Sequence, residues 1–231
     1  MDFGMSDAIR LCKSDSKNAV IAEIKVYSPK YGDLLKNRDP LEILKAYERA
    51  GAAGISYITE PEYFKGDFKL FKKICKYSNL PVLRKDFITG KEEIERTAEA
   101  EGAAVLLIAR LLKDKTAEMV DFALEHGLET IVEVHTTHDL TIATDTNSTM
   151  IGINNRNIFE LEIDDGSVSI TRELAPQIPD KFIKVSESGI SNLKNLKTAL
   201  TFADAVLVGT AFMNARNPEE MVKTFVEARL C

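Results

Sequence analysis

The sequence has no tryptophan, three cysteines and no apolar run long enough to cross a bilayer, which takes about 20 residues. Cys12, Cys75 and Cys231 stand singly, without paired spacing, so neither a disulfide framework nor a zinc site is implied. Scattered thiols of this kind suit a reducing compartment, and the cytoplasm is the expected location. The opening MDFGMSDAIRLCKSD places an acid early and has no basic stretch followed by an apolar one, against a secretory signal. No HxH, HExxH or cysteine pair occurs, so no metal is expected. Aromatics make up 7% of the chain, and its 30 basic and 36 acidic residues are well mixed, for a net charge of −6. Without a basic stripe interleaved with aromatics, nucleic acid is not an expected partner. No Pro-, Ser- or Gly-rich linker divides the 231 residues, and nothing marks an obligate protein partner.

What is present is a repeat of short β-prone runs. They fall at 20–24 (VIAEI), 54–58 (GISYI), 81–84 (PVLR), 104–108 (AVLLI), 129–134 (ETIVEV), 149–153 (TMIGI), 182–186 (FIKVS) and 204–208 (DAVLV). Between them lie stretches of helical period, among them 40–51, 91–102, 114–127 and 217–230. Several start on Pro or Asp and stop on Gly, and Gly51, Gly102 and Gly127 read as glycines just past helix ends. Eight strands alternating with helices, one unit per about 26 residues, imply a parallel sheet with both faces covered. The first loop lacks the GxGxxG of an open dinucleotide-binding sheet. Eight units in this length fit a closed (β/α)8 TIM barrel, a single α/β domain over 20–231. Residues 1–19 form a short N-terminal extension in which 5–13 can make a helix, covering either end of the barrel.

In such a barrel chemistry gathers at the C-terminal ends of the strands. Those ends read Glu23-Ile-Lys25, Lys85-Asp86-Phe87, Glu133-Val-His135, Asn154-Asn155-Arg156-Asn157, Ser186-Glu187-Ser188-Gly189 and Gly209-Thr210. Residues two apart on a strand share a face, so Glu23 and Lys25 point the same way. If that way is inward, the mouth holds Lys25, Lys85, Glu23, Glu133, Glu187 and Asn154. Any one of these could be an ordinary ion pair; polar ends on five strands are harder to explain so. Two lysines among carboxylates is a composition for general acid and base. Gly189 and Gly209, each opening a helical stretch, are where barrels offer backbone N–H groups to phosphate. His126 and His138 are expected at the surface, and His135 to turn away from the pore.

These segments resemble the indole-3-glycerol phosphate synthase family. The matching pieces are IAEIKVYSP (21–29), YFKGD (63–67), VLRKDF (82–87), AVLLIARLL (104–112), IVEVHTTHDL (131–140), IGINNRN (151–157), VSESGIS (185–191) and VLVGTAFM (206–213), in family order. The resemblance implies closure of an indole ring from 1-(2-carboxyphenylamino)-1-deoxyribulose 5-phosphate with loss of carbon dioxide and water, without a cofactor. It makes Lys85 the general acid, and Lys25 the holder of the substrate carboxylate and ketone. Glu133 and Glu23 become acid/base carboxylates, Asn154 orients them, and Glu187 and Arg156 are further polar site residues. Ser28 would lie near the carboxylate, Ser188, Gly189, Gly209 and Thr210 would cradle the phosphate, and Phe64, Leu83, Phe87, Leu106 and Leu207 would wall the aromatic ring. Val26 and Lys30-Tyr31 depart from the family pattern, and the extension is shorter than usual. Two other readings stay open. A phosphoribosylanthranilate isomerase or related barrel would carry a Cys/Asp or Asp/Asp pair on strands 1 and 5, where this chain has Glu23, Lys25 and Glu133. A non-catalytic barrel subunit should have lost some polar strand ends.

Overall fold

The computed structural model describes residues 4–156 and 167–229; Asn157 and Cys231 fall outside that range. Among the described residues eight parallel strands close into a barrel: β1 (Ala19–Ile24), β2 (Gly54–Ile58), β3 (Val82–Lys85), β4 (Ala104–Ile108), β5 (Glu129–Val134), β6 (Met150–Asn154), β7 (Ile183–Glu187) and β8 (Ala205–Val208). Each lies within one residue of its sequence expectation. A small antiparallel hairpin, Tyr27–Ser28 with Gly32–Asp33, decorates the loop after β1.

Helices between the strands follow local chemistry. In Pro40–Arg49, Asp39 accepts the Leu41 N–H, Pro40 opens the first turn, and Gly51 (φ +82°) ends the segment in a left-handed turn. Its apolar face, Ile43, Leu44 and Tyr47, is buried against the barrel exterior. Gly127 (φ +74°) follows its helix in the same way, but Gly102 does not. There Glu101 takes the left-handed position (φ +60°), and Gly102 is needed for lack of room. A Cβ on it would press on Thr97 and the Phe71 ring.

The strand pairing fixes what meets inside. Counting around the barrel, Glu23 faces Ser56, which faces Leu83; Leu106 faces Ile131, Gly152 faces Val185, and Leu207 faces Ile21. Strand tilt advances each alternate strand by two residues, the stagger of an eight-stranded barrel with shear eight. Interior side chains therefore stack in layers of four from alternate strands. One layer is Ile21, Leu83, Ile131 and Val185, all buried and apolar. Above it come Ser56, Leu106, Gly152 and Leu207. Next is Glu23, Lys85, Glu133 and Glu187, a charged layer where branched apolar side chains usually sit.

The N-terminal helix, Met5–Ser14, closes the opposite end. Met5 and Ile9 pack into the barrel-interior cluster with Ala19, Ile21 and Leu83, and the Ser6 N–H donates to Glu129 at the start of β5, 3.1 Å away. The extension thus plugs the bottom and leaves the top open. Among the described residues, no helix is long and apolar enough to cross a membrane.

Candidate active site

Three carboxylates and one lysine share the charged layer. Lys85 Nζ lies 2.8 Å from Glu133 Oε2 and 3.3 Å from Glu187 Oε2. Ser56 Oγ donates to Glu23 Oε2 at 3.4 Å. The small residues of the adjoining layers make this possible. A Cβ on Gly152 would overlap the Glu187 carboxylate, and one on Gly209 would overlap that of Glu23. Gly209 thus makes room for an acid, besides any part in a phosphate turn. Neither requirement can be read from the local sequence, because the clash is with another strand.

Burying three acids with one lysine divides the protons unevenly. Burial works against the Lys85 ammonium, but Glu133, Glu187 and Glu23 together push its pKa above the ordinary lysine value. Burial likewise raises Glu133, yet Lys85 and then His135 outweigh it and hold that carboxyl below its usual range. For Glu187 burial wins: despite Lys85, and helped by the negative charge of Glu133, its pKa is pushed up to about 8. The layer is thus divided between a Glu133 held toward its ionised form by the Lys85 ammonium and a Glu187 that burial biases toward the neutral acid.

Above it opens a cavity of about 370 Å³. Of the residues expected from sequence, Glu23, Lys25, Lys85, Glu133, Asn154, Arg156, Phe64, Phe87, Leu106, Leu207, Ser188, Gly189, Gly209 and Thr210 line it. Three do not. Leu83 lies two layers below the charged one, fully buried in the barrel. Ser28 is buried in the hairpin loop, where its Oγ accepts the Tyr31 N–H. Glu187 is buried beneath the cavity and is linked to it through Lys85. Nor does Lys85 stand alone, as its isolation on strand 3 suggests; both of its nearest acids arrive from strands far away in sequence.

Glu60, which sequence reading passed over, lines the cavity and shapes its aromatic wall. Its buried carboxylate accepts the N–H groups of Glu62, Tyr63 and Phe64 at 2.8–2.9 Å. The turn so held presents the Phe64 ring to Lys25, whose Nζ is 4.7 Å from the ring centroid. Glu60 stands two residues past the end of β2, in line with the polar ends of the other strands, and that placement was the available signal.

At the rim Ser188 (φ +63°) and Gly189 (φ +71°) make a tight left-handed turn. Asn155 pins it, its amide donating to the carbonyls of Glu187 and Ser188. Gly209 directly precedes the short helix Thr210–Asn214. Gly189 does not open a helix: three residues intervene, and Asn192 caps Leu193–Leu200. His135, expected to turn away from the pore, does not line the cavity, but it stays beside Glu133. Residues two apart on a strand share a face, and its Nε2 lies 3.5 Å from Glu133 Oε1. His126 and His138 are exposed, as expected.

With this geometry in hand, likeness to other proteins is informative. The family model for indole-3-glycerol phosphate synthase matches residues 4–225. The chain belongs to the indole-3-glycerol phosphate synthase family. It is 67% identical over 229 residues to the indole-3-glycerol phosphate synthase of Pyrococcus abyssi, covering 99% of each chain. With that of Thermococcus kodakarensis it shares 62% over 230 residues, 100% of each. With that of Methanocaldococcus jannaschii it shares 39% over 224 residues, 96% of this chain and 82% of the other. A solved structure from Aquifex aeolicus matches with a TM-score of 0.67 at 15% identity over 96% of each chain, a likeness of fold alone.

Proposed function

We propose that the cavity binds 1-(2-carboxyphenylamino)-1-deoxyribulose 5-phosphate and converts it to indole-3-glycerol phosphate, as a carboxy-lyase of tryptophan biosynthesis. The observation that carries the residue assignment is the single layer in which Lys85 is held between Glu133 and Glu187, directly under the cavity.

In the first step the ring carbon bearing the carboxylate attacks the substrate ketone. The carbonyl π electrons move to oxygen, and Lys85 delivers a proton there. The carboxylates around it, Glu133 first at 2.8 Å, keep it protonated until the ketone arrives, and a positioned ammonium stabilises the growing negative charge. Lys25, against the Phe64 face, holds the substrate carboxylate and ketone. Carbon dioxide then leaves, its bonding pair restoring the ring. In the last step the new hydroxyl departs as water with a proton from Lys25, and Glu133 or Glu23 takes a proton from the methylene carbon beside the amine, whose C–H pair forms the ring double bond. Asn154, whose Oδ1 accepts the Arg156 N–H at 3.0 Å, has its side chain against the Glu133 carboxylate and orients it. Ser28 acts on the carboxylate only through the loop it orders. Phe64, Phe87, Leu106 and Leu207 pack on the aromatic ring.

The phosphate lies at the rim against Ser188, Gly189, Gly209 and Thr210, where backbone N–H groups receive it. Anchored there, it orients the reacting carbons through binding energy remote from them. The reaction needs no organic cofactor and no metal, and the substrate is a soluble phosphorylated small molecule of the cytoplasm. The test is turnover of this substrate by the purified, exhaustively chelated protein, followed by the fluorescence of the indole product. Full activity is expected; no turnover, or activity restored only by metal, overturns the assignment.

A further inference from the structure

At the floor of the site, four buried polar atoms have no hydrogen-bond partner: Glu133 Oε1, Glu187 Oε1 and both ring nitrogens of His135. Two of them face each other. His135 follows directly on β5, and its Nε2 lies 3.5 Å from Glu133 Oε1, while the other oxygen of that carboxylate is taken by Lys85 at 2.8 Å. The imidazole is held from behind. Asp139 Oδ2 accepts the backbone N–H of His135 at 2.9 Å and of Thr136 at 3.1 Å, and both Arg110 Nε and Nη2 at 3.2 Å. With four donors on one oxygen, Asp139 has no need of the ring, whose Nδ1 stays 4.0 Å away. The imidazole thus stands between two carboxylates, Asp139 backed by Arg110 and Glu133 backed by Lys85. We propose that His135 is a positioning residue for Glu133: a neutral imidazole carrying its proton on Nε2 and donating it to Oε1. A movement of a few tenths of an ångström brings the pair to normal hydrogen-bond length.

The other tautomer would leave Oε1 facing a lone pair and still lack a bond to Asp139. The imidazolium is opposed first by burial and then by Arg110 and Lys85, against the pull of Glu133 and Asp139, so the ring's pKa falls below its ordinary value. With Lys85 on one oxygen and His135 on the other, the carboxylate cannot rotate and stays ionised, which sets its strength as a base. This inference rests on the reading of Glu133 as a proton-handling group.

The test has two parts. Nitrogen-15 imidazole shifts of the intact protein should report a neutral ring protonated at Nε2 from about pH 6 to 8, with the Nε2 signal moved by Glu133→Gln. An Nδ1–H tautomer, an imidazolium, or a signal blind to Glu133→Gln overturns the proposal. In kinetics, His135→Leu should lower kcat about 10-fold, leave KM within about twofold, and move the acidic limb of the kcat–pH profile up by about one unit. His135→Gln, which can still donate an N–H to Oε1, should recover most of both. Equal losses in the two variants, or an unmoved acidic limb in His135→Leu, overturn it as well. If His135→Leu does not fold, the shifts of the intact protein decide alone. Normal turnover by Glu133→Gln would instead remove the catalytic reading of Glu133, and the tautomer would still test the contact.

Discussion

The two ends of this barrel are closed by opposite chemistry. At the bottom, Met5 and Ile9 of one short helix fill the opening and are 0% and 1% exposed among apolar neighbours. At the top, the layer that could have been filled the same way holds Glu23, Lys85, Glu133 and Glu187. Burial of apolar area stabilises the first at roughly 25 cal/mol per Å². The second gives up that gain and adds the desolvation of four ionisable groups, offset in part by the ion pairs to Lys85. The bottom plug serves stability and the top layer serves chemistry. Substitutions at the two ends should therefore fail in different ways.

The largest effect is expected at Lys85. Lys85→Met should lower single-turnover chemistry by about 10²–10⁴-fold, roughly 3–5 kcal/mol of barrier, with a much smaller loss in binding of a substrate analogue. Lys25→Met, which removes a group that holds substrate, should weaken binding and turnover together. Near-normal chemistry in Lys85→Met would leave the proton of ring closure without a source. At the other end, Ile9→Ala should destabilise the fold by about 2–4 kcal/mol through lost burial and a residual cavity, with kcat unchanged. Thermal unfolding and steady-state kinetics on the same preparation separate the two. A fall in kcat comparable to that of Lys85→Met would break the division between the ends.

Much of this was legible beforehand. Strand identity followed from apolar runs and helix stops, and the repeat length selected the closed barrel. Glu23, Lys85, Glu133 and Asn154 stood out as polar residues at strand ends, where burial makes charge costly without a purpose. What escaped was whatever depends on the stagger between strands. Leu83 is as apolar as Leu106, but the register sets it two layers below the charged groups. Gly152 has no local signature; its need arises from Glu187 on the neighbouring strand. His135 was misplaced by a parity error, not by missing information, since period two already puts it on the side of Glu133. The position of the extension could not be read because an amphipathic helix does not by itself say which opening its apolar face meets.

Gly152 offers an intermediate test of the layer itself. Gly152→Ala puts a methyl group where the Glu187 carboxylate lies, so the acid must shift and the Lys85 pairing must loosen. Overpacking of this kind should cost about 1–3 kcal/mol in stability and lower kcat as well. Ala on the bottom layer would do only the first. An Ala variant with wild-type stability and kcat would mean that Glu187 has room to spare and that the small residues beside the acids have another reason.

The last expected effect carries the opposite sign and leaves the chemistry aside. Glu187 has a pKa raised to about 8, chiefly by burial. A group more readily protonated in the folded chain than in the unfolded one lends its full stability below the ordinary carboxylate pKa. That contribution is lost as pH rises toward 8 and is flat beyond it. Glu187→Gln has no proton to lose, while Lys85 keeps Glu133 at 2.8 Å as its partner. The variant should therefore match the wild-type protein near pH 4 and below, and exceed it by an amount that grows to pH 8. Between those limits the gain should rise by no more than about 1.4 kcal/mol per pH unit and then level off. Chemical denaturation of both proteins at half-unit pH steps measures it. Parallel curves from pH 5 to 8 would mean that Glu187 is ionised in the folded state, and Lys85 would then stand between two charged carboxylates, Glu133 and Glu187.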